Sequence, residues 1–427
     1  MFGECEYDSG EDIPKETMTK EQMKELTDRF LTDIFPETVS KLFLSSIIDF
    51  DVFFMLEYCQ KDELFGLDLP NSGVTFNVYN NGMIMDVTKE EESFSVEYPK
   101  EVVPSEKAKQ RYLSGINAGK LILQYDEELF VNGDGKFRLV YDFNSVAIDV
   151  KMDGLITNTG DLDIEPQYHK DIPSFFAKAV SSLVLAGVEG MKKIAEVETE
   201  AGFVEVWSHF SLEKFREDYD MEDLIDLDFG MDDIVKFIID PSNGKLKRLV
   251  KGGEQLLDRM YTAEEAYLFA LKILSSQFKD AHQMFKLHIL DPEIVDYNDE
   301  GEELPPYAYC FTFDRFENGV RIENAYIAIT VNASTGELQD INTSDHTYID
   351  FTGLTDVIPD NFALAKNLYE QSFTMKLQWV KEVDENGKSR YDLVYMPTFK
   401  GAGGHILYYD VYTLEPWTID VTGLEEY

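Results

Sequence analysis

Apolar and polar residues alternate along this chain with two periods, and the switches between them mark out repeated units. From Thr19 the spacing is helical: Met23, Leu26, Phe30 and Ile34 fall on one face, and Gln22, three residues after Thr19, completes a capping box. Thr262 and Glu265 repeat that device ahead of TAEEAYLFALKILSS, whose inner stripe is Ala266, Phe269, Ala270 and Ile273. After each helix the period falls to two, as in half-buried strands. VTFNVYNNGMIMDV turns on Gly82, and YIAITVNASTGELQDI turns on Gly336, with Ile327, Ile329 and Val331 alternating against Ala328, Thr330 and Asn332. IDPSNGKLKRL, Ile239 to Leu249, follows the same plan around Gly244, where glycine supplies the positive φ of a tight turn.

A second helix is predicted in each half, opened by Pro104-Ser105 and by Pro359-Asp360. Then KLILQYDEELFVNGDGKFRLVYDF, from Lys120, can be laid beside KLQWVKEVDENGKSRYDLVYMPTF, from Lys376: both start on Lys-Leu, turn on glycine and reach Leu-Val-Tyr, at 139 to 141 and 393 to 395. Ser105 to Leu139 is 34 positions and Asp360 to Leu393 is 33. The expected organisation is an acidic segment, 1–16, then two duplicated halves, 17–165 and 255–427, each with two helix-plus-sheet units. A middle unit, 166–254, has a helix over Ile172 to Val188 and the acidic alternation Ile225 to Phe229. The fold class is α+β, and the unequal spacing between units argues against a fixed-period solenoid.

The segment Tyr307 to Ile341 resembles the YcdB/YcdC repeat of Gram-positive bacteria, a relative of the PepSY domain. Phe311 and Phe313, the Asn318-Gly319 turn, and the run Asn332-Ala333-Ser334-Thr335-Gly336-Glu337 carry the resemblance. Asp410, Thr413, Glu415 and Pro416 resemble the second half of the same repeat. Asn332 stands where the pattern has Asp, and Leu414 where it has Gly. The resemblance implies tandem PepSY-like modules, each a helix on an antiparallel sheet. PepSY modules occur in protease propeptides and are associated there with inhibition and assisted folding, so a protease-inhibitor-like role is one form the function could take. The motifs are turn and packing motifs, and they imply no reaction.

Charge then narrows the partners. The chain has 82 acidic against 38 basic side chains in 427 residues, a net −44, which repels nucleic acid and anionic lipid and suits a basic protein, a cation or simple solubility. Apolar residues make up 44 % and aromatic ones 13 %, enough for several cores. No stretch has the apolar length of a membrane helix, and MFGECEYDSGEDIPKE lacks the basic and apolar parts of a signal peptide. A cytoplasmic protein is expected as the sequence stands; removal of a leader would place it outside the cell or at its surface.

Chemical motifs are sparse. Cys5, Cys59 and Cys310 form no C-x-x-C pair, and the six histidines include no H-E-x-x-H; His282 and His288, six apart, read as ordinary histidines. Glu382 spoils a phosphate loop ending at Gly387-Lys388-Ser389, and GAGGH, Gly401 to His405, reads as a hairpin tip. Asp296, Asn298 and Glu300 begin like an EF-hand loop, but Tyr307 replaces its last ligand and Pro305-Pro306 blocks the exiting helix. These three residues, with Asp226 and Asp228, remain the metal candidates, for calcium; no catalytic residue and no cofactor is expected. The expectation is a non-catalytic binding protein with a protein partner or self-association. A self-assembling bacterial coat or inclusion protein, and a carboxylate-based enzyme, are the alternatives.

Overall fold

Thr19 starts the first helix as its side chain dictates: its hydroxyl accepts from Gln22 N–H, and the Gln22 side chain accepts from Thr19 N–H at 2.8 Å. The helix, Lys20–Ile34, buries Met23, Thr27 and Leu31, while Ile34 is 56 % exposed. The buried stripe is therefore rotated from the predicted one. A polar residue lies on it because Tyr58 meets it, its hydroxyl 2.7 Å from Thr27 Oγ1 and donating to Asp28 at 2.8 Å. This helix covers an antiparallel meander of β1 (Phe43–Asp49), β2 (Phe53–Lys61), β3 (Asp68–Tyr79) and β4 (Ile84–Lys89), with Leu56, Phe76 and Val78 beneath it.

The computed structural model describes residues 18–50, 52–89, 95–96, 98–115, 119–143, 147–149, 155–156, 169–175, 187–199, 201–215, 234–252, 261–297, 303–383, 389–399, 406–419 and 424–426. The molecule is mixed α/β, mostly strands with few helices. After β5 (Ser95–Val96) and the helix Ser105–Gly115 come β6 (Gly119–Gln124), β7 (Phe137–Asp142), β8 (Ala147–Asp149), β9 (Leu155–Ile156) and β10 (His169–Asp171). A meander of β11 (Lys192–Thr199), β12 (Gly202–Ser208), β13 (Ile234–Ile239) and β14 (Leu246–Lys251) leads to the helix Ala263–Gln277. Then follow β15 (Phe285–His288), β16 (Glu293–Ile294), β17 (Ala308–Glu317), β18 (Val320–Asn332) and β19 (Leu338–Thr343). The helix Phe362–Ser372 precedes β20 (Phe373–Val383), β21 (Ser389–Phe399), β22 (Ile406–Asp410), β23 (Pro416–Thr418) and β24 (Leu424–Glu426). Most of the helix predicted over Ile172 to Val188, and the acidic run Ile225 to Phe229, lie outside the described residues.

The described strands form three sheets. β24 joins the first meander at β1; β11 to β14 run through β19, β18, β6, β7 and β22 to β23 in a 14-stranded sheet that also holds β10 and β15 to β17; β20, β21, β8 and β9 form the third, with β5 parallel to β21. The helix Ala263–Gln277 begins at the expected capping box and buries Ala266, Ala270 and Ile273 against Phe311, Ile329 and Val331. Asn318 and Gly319 take φ of 49° and 81°, the paired positive values of a two-residue hairpin.

Strands are exchanged between the two regions that share Leu-Val-Tyr. β7 pairs with β22, setting Val140 opposite Asp410 and Tyr141 opposite Tyr409; β21 pairs with β8, setting Val394 opposite Asp149 and Tyr395 opposite Ile148. In each region the strand after Leu-Val-Tyr thus leaves its own hairpin for the other's. Tyr112 and Tyr369, on the two short helices, are fully buried and share a hydroxyl hydrogen bond of 2.7 Å, and Phe143 stacks on Tyr369 at 4.5 Å. One core serves both regions. The Lys-Leu match is out of register: Ile122 lies opposite Leu139 and Trp379 opposite Leu393, so these two buried residues correspond, and a one-residue shift would turn either to the wrong face.

Candidate functional site

Of the five calcium candidates, Asp296 lies among the described residues. Asp296 is exposed, its carbonyl accepts from Leu304 N–H at 2.8 Å, and Tyr297 bridges Glu303, which joins the end of β16 to the approach to β17. Asn298, Glu300, Asp226 and Asp228 lie outside the described residues, as do Gly387, Lys388 and the stretch Gly401 to His405.

Buried acids elsewhere hold turns. Asp62 is 5 % exposed and accepts from Phe65 N–H at 2.7 Å, Leu67 N–H at 2.8 Å, Leu64 N–H at 2.9 Å and the Trp379 indole at 3.1 Å. Burial pulls its carboxyl upward, but these donors outweigh it and hold the group below the usual carboxylate range. Asp410 accepts from the backbone of Tyr412 and Thr413, both at 2.8 Å, as Asn332 does from Ser334 and Thr335. The thiols of Cys59 and Cys310 are pushed up by burial, and for Cys59 also by Glu57, which favours the thiol over the nucleophilic thiolate.

The sheet does gather one cluster that spacing could not show. β10 pairs with β15 so that His169 lies opposite His288, and β15 pairs with β17 so that Lys286 lies opposite Asp314. His169 Nε2 is 2.6 Å from Asp314 Oδ2, His288 Nδ1 is 3.6 Å from the same oxygen, and the two imidazoles stack at 5.2 Å. The three side chains are only 11 to 18 % exposed, and Phe316 closes over His169 edge-on at 5.2 Å. Lys286 is drawn aside by Asp171, at 3.0 Å, and by the Phe316 ring, at 5.0 Å. His282 is exposed on the short helix Ala281–Met284 and takes no part. In the sequence His288, six residues from His282, reads as an ordinary histidine, whereas the sheet sets it beside His169 and Asp314. The sole sequence signal for this grouping is Asp314 within FTFDRF, a charge in a strand otherwise made of core residues.

A second feature lies at one end of the first sheet. The turn before β2 and the turn before β4 are joined by a hydrogen bond from Asn80 N–H to the Val52 carbonyl, 3.2 Å. Around it Phe50, Val52, Met83 and Met85 are all exposed. Among the described strands β4 pairs with β3 and ends the order of the first sheet, beside this apolar patch. No described helix is long and apolar enough to cross a membrane.

No family model matches the chain. Against a solved structure, the C-terminal domain of YpeB from Bacillus megaterium, the chain aligns over 77 % of its length and 99 % of that domain at 10 % identity, but the TM-score of 0.13 supports no argument about the fold. The chain is similar to two uncharacterised proteins of Bacillus subtilis strain 168. It is 25 % identical to YcdB over 370 residues, 82 % of this chain and 72 % of that one, and 22 % identical to YcdC over 346 residues, 78 % and 70 % respectively.

Proposed function

We propose that this chain is a non-catalytic binding protein of tandem PepSY-like modules that recognises another protein through the β4 end of its first sheet. The apolar patch of Phe50, Val52, Met83 and Met85 beside β4, the last strand in the described order of the first sheet, carries this reading. An extended segment can add to such a strand by main-chain hydrogen bonds, and flexible methionines adapt to its side chains. The net charge of −44 favours a basic partner.

The modular part rests on a contact made twice. Met18, just before the first capping box, donates its N–H to the Asn80 carbonyl at 2.7 Å and places its sulfur over Gly82; Tyr261, just before the second, donates to the Ala333 carbonyl at 2.9 Å and places its ring over Gly336. Helix start and hairpin turn are thus locked together in the same way in both units. Together with the exchanged strands, this supports descent of the two halves from one module. No cofactor enters this reading.

Affinity capture with the native chain and with a Met83→Asp/Met85→Asp variant tests it, circular dichroism confirming that both are folded. Partners held by the native chain and lost by the variant are expected; identical captured sets would sink the reading. Light scattering against concentration, with and without calcium, separates the occupants. Growth that the variant abolishes makes a second copy the partner, and calcium-dependent growth that the variant retains favours a self-assembling coat instead.

A further inference from the structure

We propose that His169, His288 and Asp314 form a binding site for a divalent transition-metal ion of the zinc class. The donor set decides the class. Two imidazole nitrogens and one carboxylate oxygen suit zinc, cobalt, nickel, copper or ferrous iron, whereas calcium and magnesium take oxygen ligands almost alone. The three ligating atoms lie within 4.8 Å of one another. Around an ion held by bonds of about 2.0 to 2.1 Å in a tetrahedron, ligand atoms stand about 3.3 Å apart. His288 Nδ1 is already 3.6 Å from Asp314 Oδ2, and His169 Nε2, at 2.6 Å, needs to withdraw by less than an ångström.

Rigidity supports the site as well. Each ligand sits on a different strand of one ladder, β10, β15 and β17, so the backbone fixes their separation before any ion arrives. Three protein ligands leave a coordination position for water or for a group of a partner. Lys286, opposite Asp314 in the ladder, is held by Asp171 and by the Phe316 ring. Bound metal would pin the three-residue strand β10 to the sheet that carries β17 and thereby tie the middle of the chain to its second half. This site departs from the calcium candidates in residue type, place and ion, and it stands independently of the proposed partner surface.

The full chain, stripped with chelator and dialysed, is titrated with zinc by calorimetry and with cobalt by visible absorption, in the presence of excess calcium to occupy surface carboxylates. One equivalent is expected, with the intense bands of a low-symmetry cobalt site and a rise in melting temperature on adding zinc. His288→Ala, which leaves the His169–Asp314 hydrogen bond in place, and Asp314→Asn should each weaken binding about tenfold or more. Zinc binding that calcium abolishes, or that both variants retain at full strength, overturns the proposal. If Asp314→Asn fails to fold, His288→Ala decides.

Discussion

Region 105–149 and region 362–410 run through one order of elements, a short helix and then three strands, and each makes its hairpin locally while giving its third strand to the other. Their attachments differ. β6 lies parallel to β18, with Leu121 opposite Arg321, so the first region is built into the long sheet. In the second region Trp379 takes the place of Ile122, and its indole donates to Asp62 of the first meander. Asp142 and Met396 follow the two Leu-Val-Tyr runs. The shared interior is thus kept apolar and nearly symmetric, and the divergent residues are those that connect each region to its surroundings.

The largest expected effect comes from the centre of this symmetry. Tyr369→Ala removes a fully buried ring that packs on Phe143, Phe373 and Phe399 and should cost about 3 to 5 kcal/mol in urea unfolding. Tyr369→Phe or Tyr112→Phe should cost about 1 to 2 kcal/mol each, since either leaves a buried hydroxyl short of its partner. The double Phe variant should cost less than the sum of the two. Strict additivity would mean that the two helices do not share one cooperative core.

Asp142 is where the two regions can be made more alike. Burial pushes its carboxyl up to about 6, Arg321 opposes this and Glu323 adds to it, while Tyr408 faces it from β22. The folded protein therefore prefers Asp142 protonated. Its contribution is fully present below the unfolded value of 3.8 and is lost as pH rises through about 6. Asp142→Met, which installs the residue of the other region, should raise stability by about 2 kcal/mol at pH 7, with the gain vanishing near pH 4. A gain that does not depend on pH would show that packing, and not the buried charge, separates the two regions.

What the sequence revealed of this architecture was local. Capping boxes and the Asn318-Gly319 turn act within a few residues, so Thr19, Thr262 and the β17–β18 hairpin were legible. Strand exchange was not, because β8 and β22 are three and five residues long and their partners are chosen by a core that Tyr112, Phe143 and Tyr369 assemble from distant parts of the chain. The same holds for the candidate metal site: Asp314 is 145 residues from His169, and only sheet order brings them together. The first helix was read one step off its true stripe because Thr27, a polar residue, is buried by a hydroxyl from another strand.

The turns closing β18 and β22 give the smallest and sharpest contrast. Asn332 N–H donates to the Glu337 carbonyl at 2.8 Å and Asp410 N–H to the Glu415 carbonyl at 3.0 Å, and the residue that must turn left-handed is Gly336 at φ 67° in one and Leu414 at φ 62° in the other. The turn survives without its glycine, so glycine alone does not define it. A Cβ on Gly336 would stand 2.5 Å from the Tyr261 ring, and Gly336→Ala should therefore cost about 2 kcal/mol, from the left-handed backbone and from moving a ring that anchors the helix start. Leu414 has no such neighbour to displace. Its left-handed conformation costs about 1 to 2 kcal/mol, and its packing against the shared core returns about as much, so Leu414→Gly should change stability by less than about 1 kcal/mol. Equal effects at the two positions would mean that Tyr261 yields freely, and the lock between helix start and hairpin turn would lose its energetic basis.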